Sequence, residues 1–219
     1  MSTTLRYQLA IRRERFWLPG GLAGLFGAIV AILGDNPNQV QAAVGFLAFV
    51  LPLAGGILAA SAFVEDPALE LLFAAPRAPW LALAECTAAI VAIIAAGSLA
   101  FQAWLAALGV DIAEYGSLLT RQLIWLAPTV ALVALASITA TLTAQGTLGA
   151  LTVGSVWLFQ VLGHGWLASG EIGRKLLIFI GSIDPRAADL WLSYACLFAL
   201  SAVLLVLSGW ALRQTERYL

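Results

Sequence analysis

Few side chains in this sequence are suited to covalent chemistry. His164 is the only histidine, and Ser155, nine residues earlier, would lie about 13 Å away along one helix, too far for a Ser–His dyad. Cys86 and Cys196 sit in apolar runs, and a single histidine leaves a metal site short of ligands. The only lysine, Lys175, belongs to no Gly-x4-Gly-Lys-Ser/Thr phosphate loop. The sequence therefore predicts neither an enzyme nor a resident cofactor or metal.

A second group of polar residues lies within the apolar stretches of the chain. Ser98 and Gln102 share one helical face, Ser137 and Thr141 share another, and Gln160 stands in a third stretch. Polar side chains inside a bilayer often line a translocation path, and these five are candidates for one. Such side chains also commonly join helices by hydrogen bonds. Both interpretations fit the sequence.

The composition places the elements that carry these residues in a membrane. Hydrophobic residues make up 62% of the 219 positions and charged residues 11%, whereas soluble domains carry about 25% charged residues. A soluble protein of this composition would lack the polar surface to cover itself. The formal net charge of −1 also excludes the basic footprint of a nucleic-acid-binding protein.

Stretches without charge mark the spans, because a charge at the bilayer centre costs about 2.5–3.5 kcal/mol. A helix needs about 20 apolar residues to cross, so the 49 uncharged residues from 122 to 170 predict two crossings joined near 143–147. The whole sequence predicts one all-α polytopic domain, 1–219, with six transmembrane helices. The predicted spans are 16–34, 40–64, 80–108, 121–143, 147–168 and 188–212.

The basic residues predict the orientation, since cytoplasmic loops are enriched in Lys and Arg. With six spans both termini lie on one side, which holds seven basic residues against four on the other, so both termini are predicted to be cytoplasmic. The seven are Arg6, Arg12, Arg13, Arg15, Arg77, Arg213 and Arg217, and the four are Arg121, Arg174, Lys175 and Arg186. The tryptophans support this orientation, because they fall at the two predicted membrane boundaries. The inner belt comprises Trp17, Trp80 and Trp210, and the outer belt comprises Trp104, Trp125, Trp166 and Trp191.

The predicted cytoplasmic loop between the second and third spans carries the most informative pattern. Asp66 suits a helix N-cap and Pro76 ends the helix that follows, which predicts about two turns. Leu69, Leu72 and Phe73 share one face of this helix. A helix this short is not stable alone in water. Its apolar face therefore either lies on the membrane surface or docks into a groove on a soluble partner.

This loop resembles the coupling helix of type-2 ABC exporter permeases, in which an acidic stretch leads into a Leu-Glu-x-Leu core and then proline. The matching residues are Glu65-Asp66, Leu69-Glu70-Leu71-Leu72 and Pro76-Arg77, ahead of Trp80. The family is also similar in its number of spans, its cytoplasmic termini and an interfacial helix before the first span, to which residues 4–15 correspond. The resemblance implies short outer-leaflet helices between spans five and six, within 171–189.

The resemblance further implies that the chain is the permease of an ATP-driven exporter in a bacterial or archaeal inner membrane. A separate cytosolic ABC ATPase would hold ATP and Mg²⁺, and a second permease, identical or homologous, would complete the transporter. Membrane lipid would surround the spans, whose apolar character favours a hydrophobic or amphipathic cargo. The surface that docks the ATPase would comprise Glu65, Asp66, Leu69, Glu70, Leu72, Phe73 and Arg77.

Two other functions fit the same sequence. The membrane subunit of the cytochrome c maturation haem exporter is similar in length, and its inner loop also runs from acidic residues through Leu-Glu to proline. A non-transporting accessory subunit of a membrane complex would need no polar residues inside the bilayer. A secondary transporter is disfavoured, because it would need ionisable residues at midplane, whereas Asp35, Asp111, Glu114 and Glu171 fall in predicted outer loops.

Overall fold

The computed structural model describes residues 14–34, 38–62, 64 and 78–212. Every regular element within these ranges is helical, which confirms the predicted all-α class. The predicted coupling helix at 65–77 lies outside the described residues. So does the predicted interfacial helix at 4–15, except for its last two residues, which begin the first helix.

Nine helices and one 3₁₀ turn make up the described part of the chain. The 3₁₀ turn, Ala113–Tyr115, lies between the third and fourth helices. The helices are α1 (Glu14–Leu33), α2 (Asn38–Ala62), α3 (Pro79–Ala107), α4 (Leu118–Thr143), α5 (Gly146–Leu162), α6 (His164–Ser169), α7 (Glu171–Lys175), α8 (Ile180–Ile183) and α9 (Leu190–Ala211).

Four of these helices, α2, α3, α4 and α9, are long and apolar enough to cross a membrane. The chain is therefore a multi-pass membrane protein, as its composition predicts. Two further apolar helices are shorter, namely α5 and the apolar part of α1, Trp17–Leu33. The predicted hairpin between α4 and α5 is a two-residue connection, in which Ala144 adopts a left-handed conformation with φ 54°.

The bundle is organised around α2 and α4. In the most apolar stretches of these two helices 67% of the residues are buried, against 28% in α3 and α9. Helix α4 packs against α2, α5 and α9, and α3 packs against α1 and α2. The outer faces of α3 and α9 therefore carry large exposed apolar side chains such as Leu99 and Val206, which suit contact with lipid.

Glycines allow α2, α4 and α5 to approach closely. A Cβ atom on Gly56 of α2 would lie 2.7 Å from Val153 of α5 and 3.1 Å from the Cβ of Leu132 of α4. A Cβ atom on Gly149 of α5 would lie 3.1 Å from the Cβ atoms of both Ala60 and Ala140. Packing between small residues drives helix association where lipid removes the usual hydrophobic force. The three-helix contact thus depends on the absence of side chains at these positions.

Helix α2 contains a wider turn in its middle. Residues Phe46–Val50 form a π-helical turn, closed by a hydrogen bond from the Leu51 N–H to the Phe46 carbonyl. Pro52 follows at once and supplies no N–H donor. The Trp157 indole of α5 donates to the Phe49 carbonyl at 3.0 Å, so a neighbouring helix provides a donor where the α2 backbone is irregular.

Gly149→Val tests the close contact of α5 with α2 and α4. The added side chain has no space between Ala60 and Ala140, so we expect the free energy of unfolding to fall by about 1–3 kcal/mol. The measurement is the unfolding transition in detergent micelles. The matched control is Gly154→Val on the same helix, where a Cβ atom meets nothing within 4 Å. Equal stability of the two variants would contradict the proposed packing role.

Candidate functional site

The predicted coupling helix joins two helix ends that the structure does describe. α2 ends at Ala62 and α3 begins at Pro79. The Cys86 Sγ donates to the Ala62 carbonyl at 3.4 Å, and both residues are buried. The last carbonyls of a helix lack partners within it, so this thiol satisfies one of them and links the ends of α2 and α3. The predicted docking residues themselves lie outside the described residues: Glu65, Asp66, Leu69, Glu70, Leu72, Phe73 and Arg77.

The buried hydroxyl groups predicted for a path bond mostly to their own helix. The Ser137 Oγ donates to the Val133 carbonyl at 2.8 Å, and the Thr141 Oγ1 donates to the Ser137 carbonyl at 2.8 Å. Such bonds to the preceding turn leave the hydroxyl without a donor for a passing molecule. Ser98 differs, because it is fully buried and its Oγ has no hydrogen-bond partner among the residues that the structure describes.

Gln102 belongs to an amide pair between α3 and α4. Its Nε2 donates to Oε1 of Gln122 at 3.2 Å, and Nε2 of Gln122 donates back to Oε1 of Gln102 at 2.8 Å. The Trp125 indole donates to the same Gln122 oxygen at 2.9 Å. Sequence reasoning missed Gln122, which stands near a predicted span end, where a polar residue needs no special role. The pair joins two helices, which fits the helix-contact interpretation of Gln102.

Gln160 holds the segment that follows α7. Its Nε2 donates to the Leu176 carbonyl at 3.2 Å, and its Oε1 accepts the Ile178 N–H at 3.2 Å. Leu177, Ile178 and Phe179 are buried, so the chain folds back from the end of the bundle into its interior. Main-chain groups at membrane depth need partners supplied by protein. One amide side chain thus satisfies two of them.

Charged residues hold the same segment at its two ends. The Arg174 guanidinium contacts the Asp189 carboxylate at 3.1 Å and the Asp184 carboxylate at 3.5 Å. Lys175 contacts Glu171 at 2.8 Å on the exposed surface. This hydrogen bond, aided by the opposite charge, lowers the pKa of Glu171 and raises the pKa of Lys175. The segment 176–189 is therefore tied by a buried amide and by ion pairs.

The five predicted path residues do not form one continuous polar surface. Thr141 lies two residues before the end of α4 at Thr143, next to the connection between α4 and α5. Gln160 lies two residues before the end of α5 at Leu162, far from that connection. At 1.5 Å per residue, most of the length of α5 separates them. The contacts of Gln102 and Gln160 favour a role in joining helices and segments, and Ser98 keeps an unused hydroxyl.

Two cavities lie away from these five residues. One, of about 860 Å³, is an apolar groove between α3, α4 and α9. The other, of about 350 Å³, lies beside the 3₁₀ turn, where burial and the nearby Glu114 carboxylate raise the pKa of Tyr115. The smaller cavity is lined by Glu114, Tyr115, Ser182, Ile183, Asp184, Pro185 and Arg186.

Comparison of the chain with protein-family models, with curated proteins and with solved structures finds no match in any of the three. Within the described ranges, no group of three or more His, Cys, Asp or Glu side chains could hold a metal ion. A proposal of function therefore rests on the sequence of the segment 65–77 and on the geometry of the helices that flank it.

Gln160→Leu tests the attachment of the segment after α7. The leucine removes the partner of the Leu176 carbonyl and of the Ile178 N–H, and the loss at the buried Ile178 N–H costs about 1–3 kcal/mol. We expect faster amide hydrogen exchange over 176–180, measured by mass spectrometry in micelles. Thr152→Val is the control, because the Thr152 hydroxyl donates to the Leu148 carbonyl of its own helix and not to the segment after α7. Exchange unchanged by Gln160→Leu would show that other contacts hold the segment.

Proposed function

We propose that this chain is the permease subunit of an ATP-driven exporter and is similar to type-2 ABC permeases. The observation that carries the proposal is the sequence of the segment 65–77, with its acidic start, its Leu-Glu-x-Leu core and its closing proline. The segment lies between two long apolar helices, α2 and α3, whose adjoining ends are linked by Cys86 and Ala62. A force applied to the segment would reach both helices together.

In this proposal the chain crosses the membrane six times, with α1 and α5 as additional spans. α1 has 20 residues and α5 has 17, and transmembrane helices range from about 17 to 25 residues. The Trp104 indole of α3 donates to the Gly27 carbonyl of α1 at 3.4 Å, so α1 lies against a helix long enough to span. With six spans, the arginine distribution favours cytoplasmic termini. The resemblance to type-2 ABC permeases supports a bacterial or archaeal inner membrane.

The mechanism proceeds from the cytoplasmic segment to the bundle core. Closure of the ATPase subunits on ATP would push on the apolar face formed by Leu69, Leu72 and Phe73. α2 would carry the movement inward, because it packs directly against the central helix α4. The π-helical turn Phe46–Val50 and Pro52 give α2 a position at which it can bend.

The transport path in this proposal lies between two permeases. The buried hydroxyls of α4 and α9 bond within their own helices, as in Thr129, Ser137, Ser201 and Ser208, so the contact between these helices offers few unused polar groups. A second permease, identical or homologous, supplies the other wall of the path. The apolar surface of the helices favours a hydrophobic or amphipathic cargo.

A non-transporting accessory subunit is the second candidate function. The observation that favours it is the engagement of Gln102 and Gln160 in structural contacts, which leaves few polar groups for transport. Such a subunit would bind other membrane chains and no ATPase. The partners recovered with the protein therefore separate the two functions.

Affinity purification in mild detergent, followed by mass spectrometry, tests the permease function. We expect stoichiometric recovery of a protein with a Gly-x4-Gly-Lys-Ser/Thr phosphate loop. Leu72→Asp should abolish this recovery, because it places a charge on the apolar docking face. Leu71→Asp is the matched control, because helical spacing puts Leu71 on the opposite face. Recovery with no ATPase, or equal recovery by both variants, would contradict docking through this face.

Labelling of an introduced cysteine tests the six-span topology. Gln145 and Arg186 are both exposed and flank α5 on its two sides, so they lie on opposite sides of the membrane if α5 crosses it. A membrane-impermeant maleimide should label Arg186→Cys in intact spheroplasts and Gln145→Cys only after permeabilisation. The unsubstituted chain, in which Cys86 is buried and Cys196 partly buried, gives the background labelling. Identical labelling of the two variants would show that α5 does not cross.

A further inference from the structure

The apolar groove lies beside the start of α3 and the end of α9, against the middle of α4. It opens where α3 begins and α9 ends, and Trp80 and Trp210 stand at this mouth with 52% and 57% of their surfaces exposed. Val130 and Val133 of α4 contribute to its lining. The groove has a volume of about 860 Å³, the larger of the two cavities described above.

The groove is long and open along one side. The residues contributed by α3 recur every third or fourth position from Trp80 to Ala95, which is about 22 Å along the helix. α9 contributes only its last turns, from Leu205 to Trp210. Small side chains create the space, namely those of Ala84, Ala88, Ala92 and Ala95, together with Gly209.

Apart from the indole N–H groups of Trp80 and Trp210 at the mouth, the lining offers almost no group that could hydrogen-bond to a ligand. No lining residue is charged, and the one hydroxyl, that of Thr87, donates to the Leu83 and Ala84 carbonyls of its own helix, at 3.0 Å each. A polar ligand would lose its hydration in the groove without gaining a partner. The chemistry therefore selects a flexible hydrocarbon chain.

The surface around the groove indicates where this hydrocarbon chain comes from. Leu99 of α3 and Val203 and Val206 of α9 are more than half exposed and apolar, and the groove is continuous with this surface. Both helices are long enough to span, so lipid covers the surface in a membrane. Tryptophan favours the depth of the lipid headgroups, with its ring on apolar chains. Trp80 and Trp210 thus place the mouth at the level where an acyl chain begins.

We propose that this groove binds one acyl chain of a bilayer phospholipid, with the headgroup beside Trp80 and Trp210. The acyl chain lies along α3 and contacts α3, α4 and α9. It fills space that protein side chains leave open. Lipid binding here requires only a membrane protein with these three helices, so it stands whether or not an ATPase partner exists.

Photocrosslinking tests the assignment on the full chain in phospholipid nanodiscs. The probe is phosphatidylglycerol with a diazirine in the middle of one acyl chain, diluted into unlabelled phosphatidylglycerol and phosphatidylethanolamine. Mass spectrometry should find the label concentrated on residues 83–95 and 205–210. Ala88→Phe places a ring in the groove and removes the space for the acyl chain, so we expect labelling there to fall to the level of the other lipid-facing helices.

The matched control is Ala96→Phe, on the same helix and exposed but outside the groove lining, and it should leave the labelling unchanged. If Ala88→Phe fails to give a single size-exclusion peak, Ala92→Leu replaces it. Label spread evenly over all lipid-facing helices would mean annular lipid only and would overturn the proposal. A groove that stays unlabelled, because a second copy or another part of the chain covers it, would overturn it as well.

Discussion

Inside a hydrocarbon phase polar groups need partners within the protein, and the rest of this structure depends on that constraint, which the Ser98 hydroxyl is among the few described groups not to meet. The hydroxyls of Ser137 and Ser201 bond to the preceding turn of their own helices. Longer side chains reach neighbours instead, as Gln102 does to Gln122 and Trp157 does to the backbone of α2. The two serine side chains therefore donate within one helix and not between helices, and those helices pack by the shape of their surfaces. Amide and indole side chains form hydrogen bonds that join particular helices.

Shape packing in turn explains why α2 and α4 occupy the core. Gly56 and Gly149 remove the side chains that would hold α2, α4 and α5 apart, so these backbones approach closely. The larger aromatic side chains collect where the packing is wider. Phe46, in the π-helical turn of α2, lies 4.8 Å from the ring of Phe26 and 4.4 Å from that of Phe101. The bundle is therefore closely packed through glycines near one end and packed through aromatic rings near the other.

The two ends of the bundle also differ in how they are fastened. At one end, buried residues 177–180 enter the bundle, with Gln160 and Arg174 holding the chain around them. At the other end, the thiol of Cys86 links α2 to α3 beside an open apolar groove. In the proposed function, the second of these ends would receive the force transmitted through the segment that joins α2 and α3.

The sequence by itself determined the helical class and the membrane location, because both follow from long apolar stretches whose signal is local to each helix. It also placed the hairpin near Ala144 and the acidic, leucine-rich segment between α2 and α3. Only the tertiary structure decided what Gln102 and Gln160 do, since their partners lie 20 and 16–18 residues away in the chain. The groove between α3, α4 and α9 could likewise not be predicted from the sequence. Its alanines are common helix residues, and they line a cavity only because three helices pack around them.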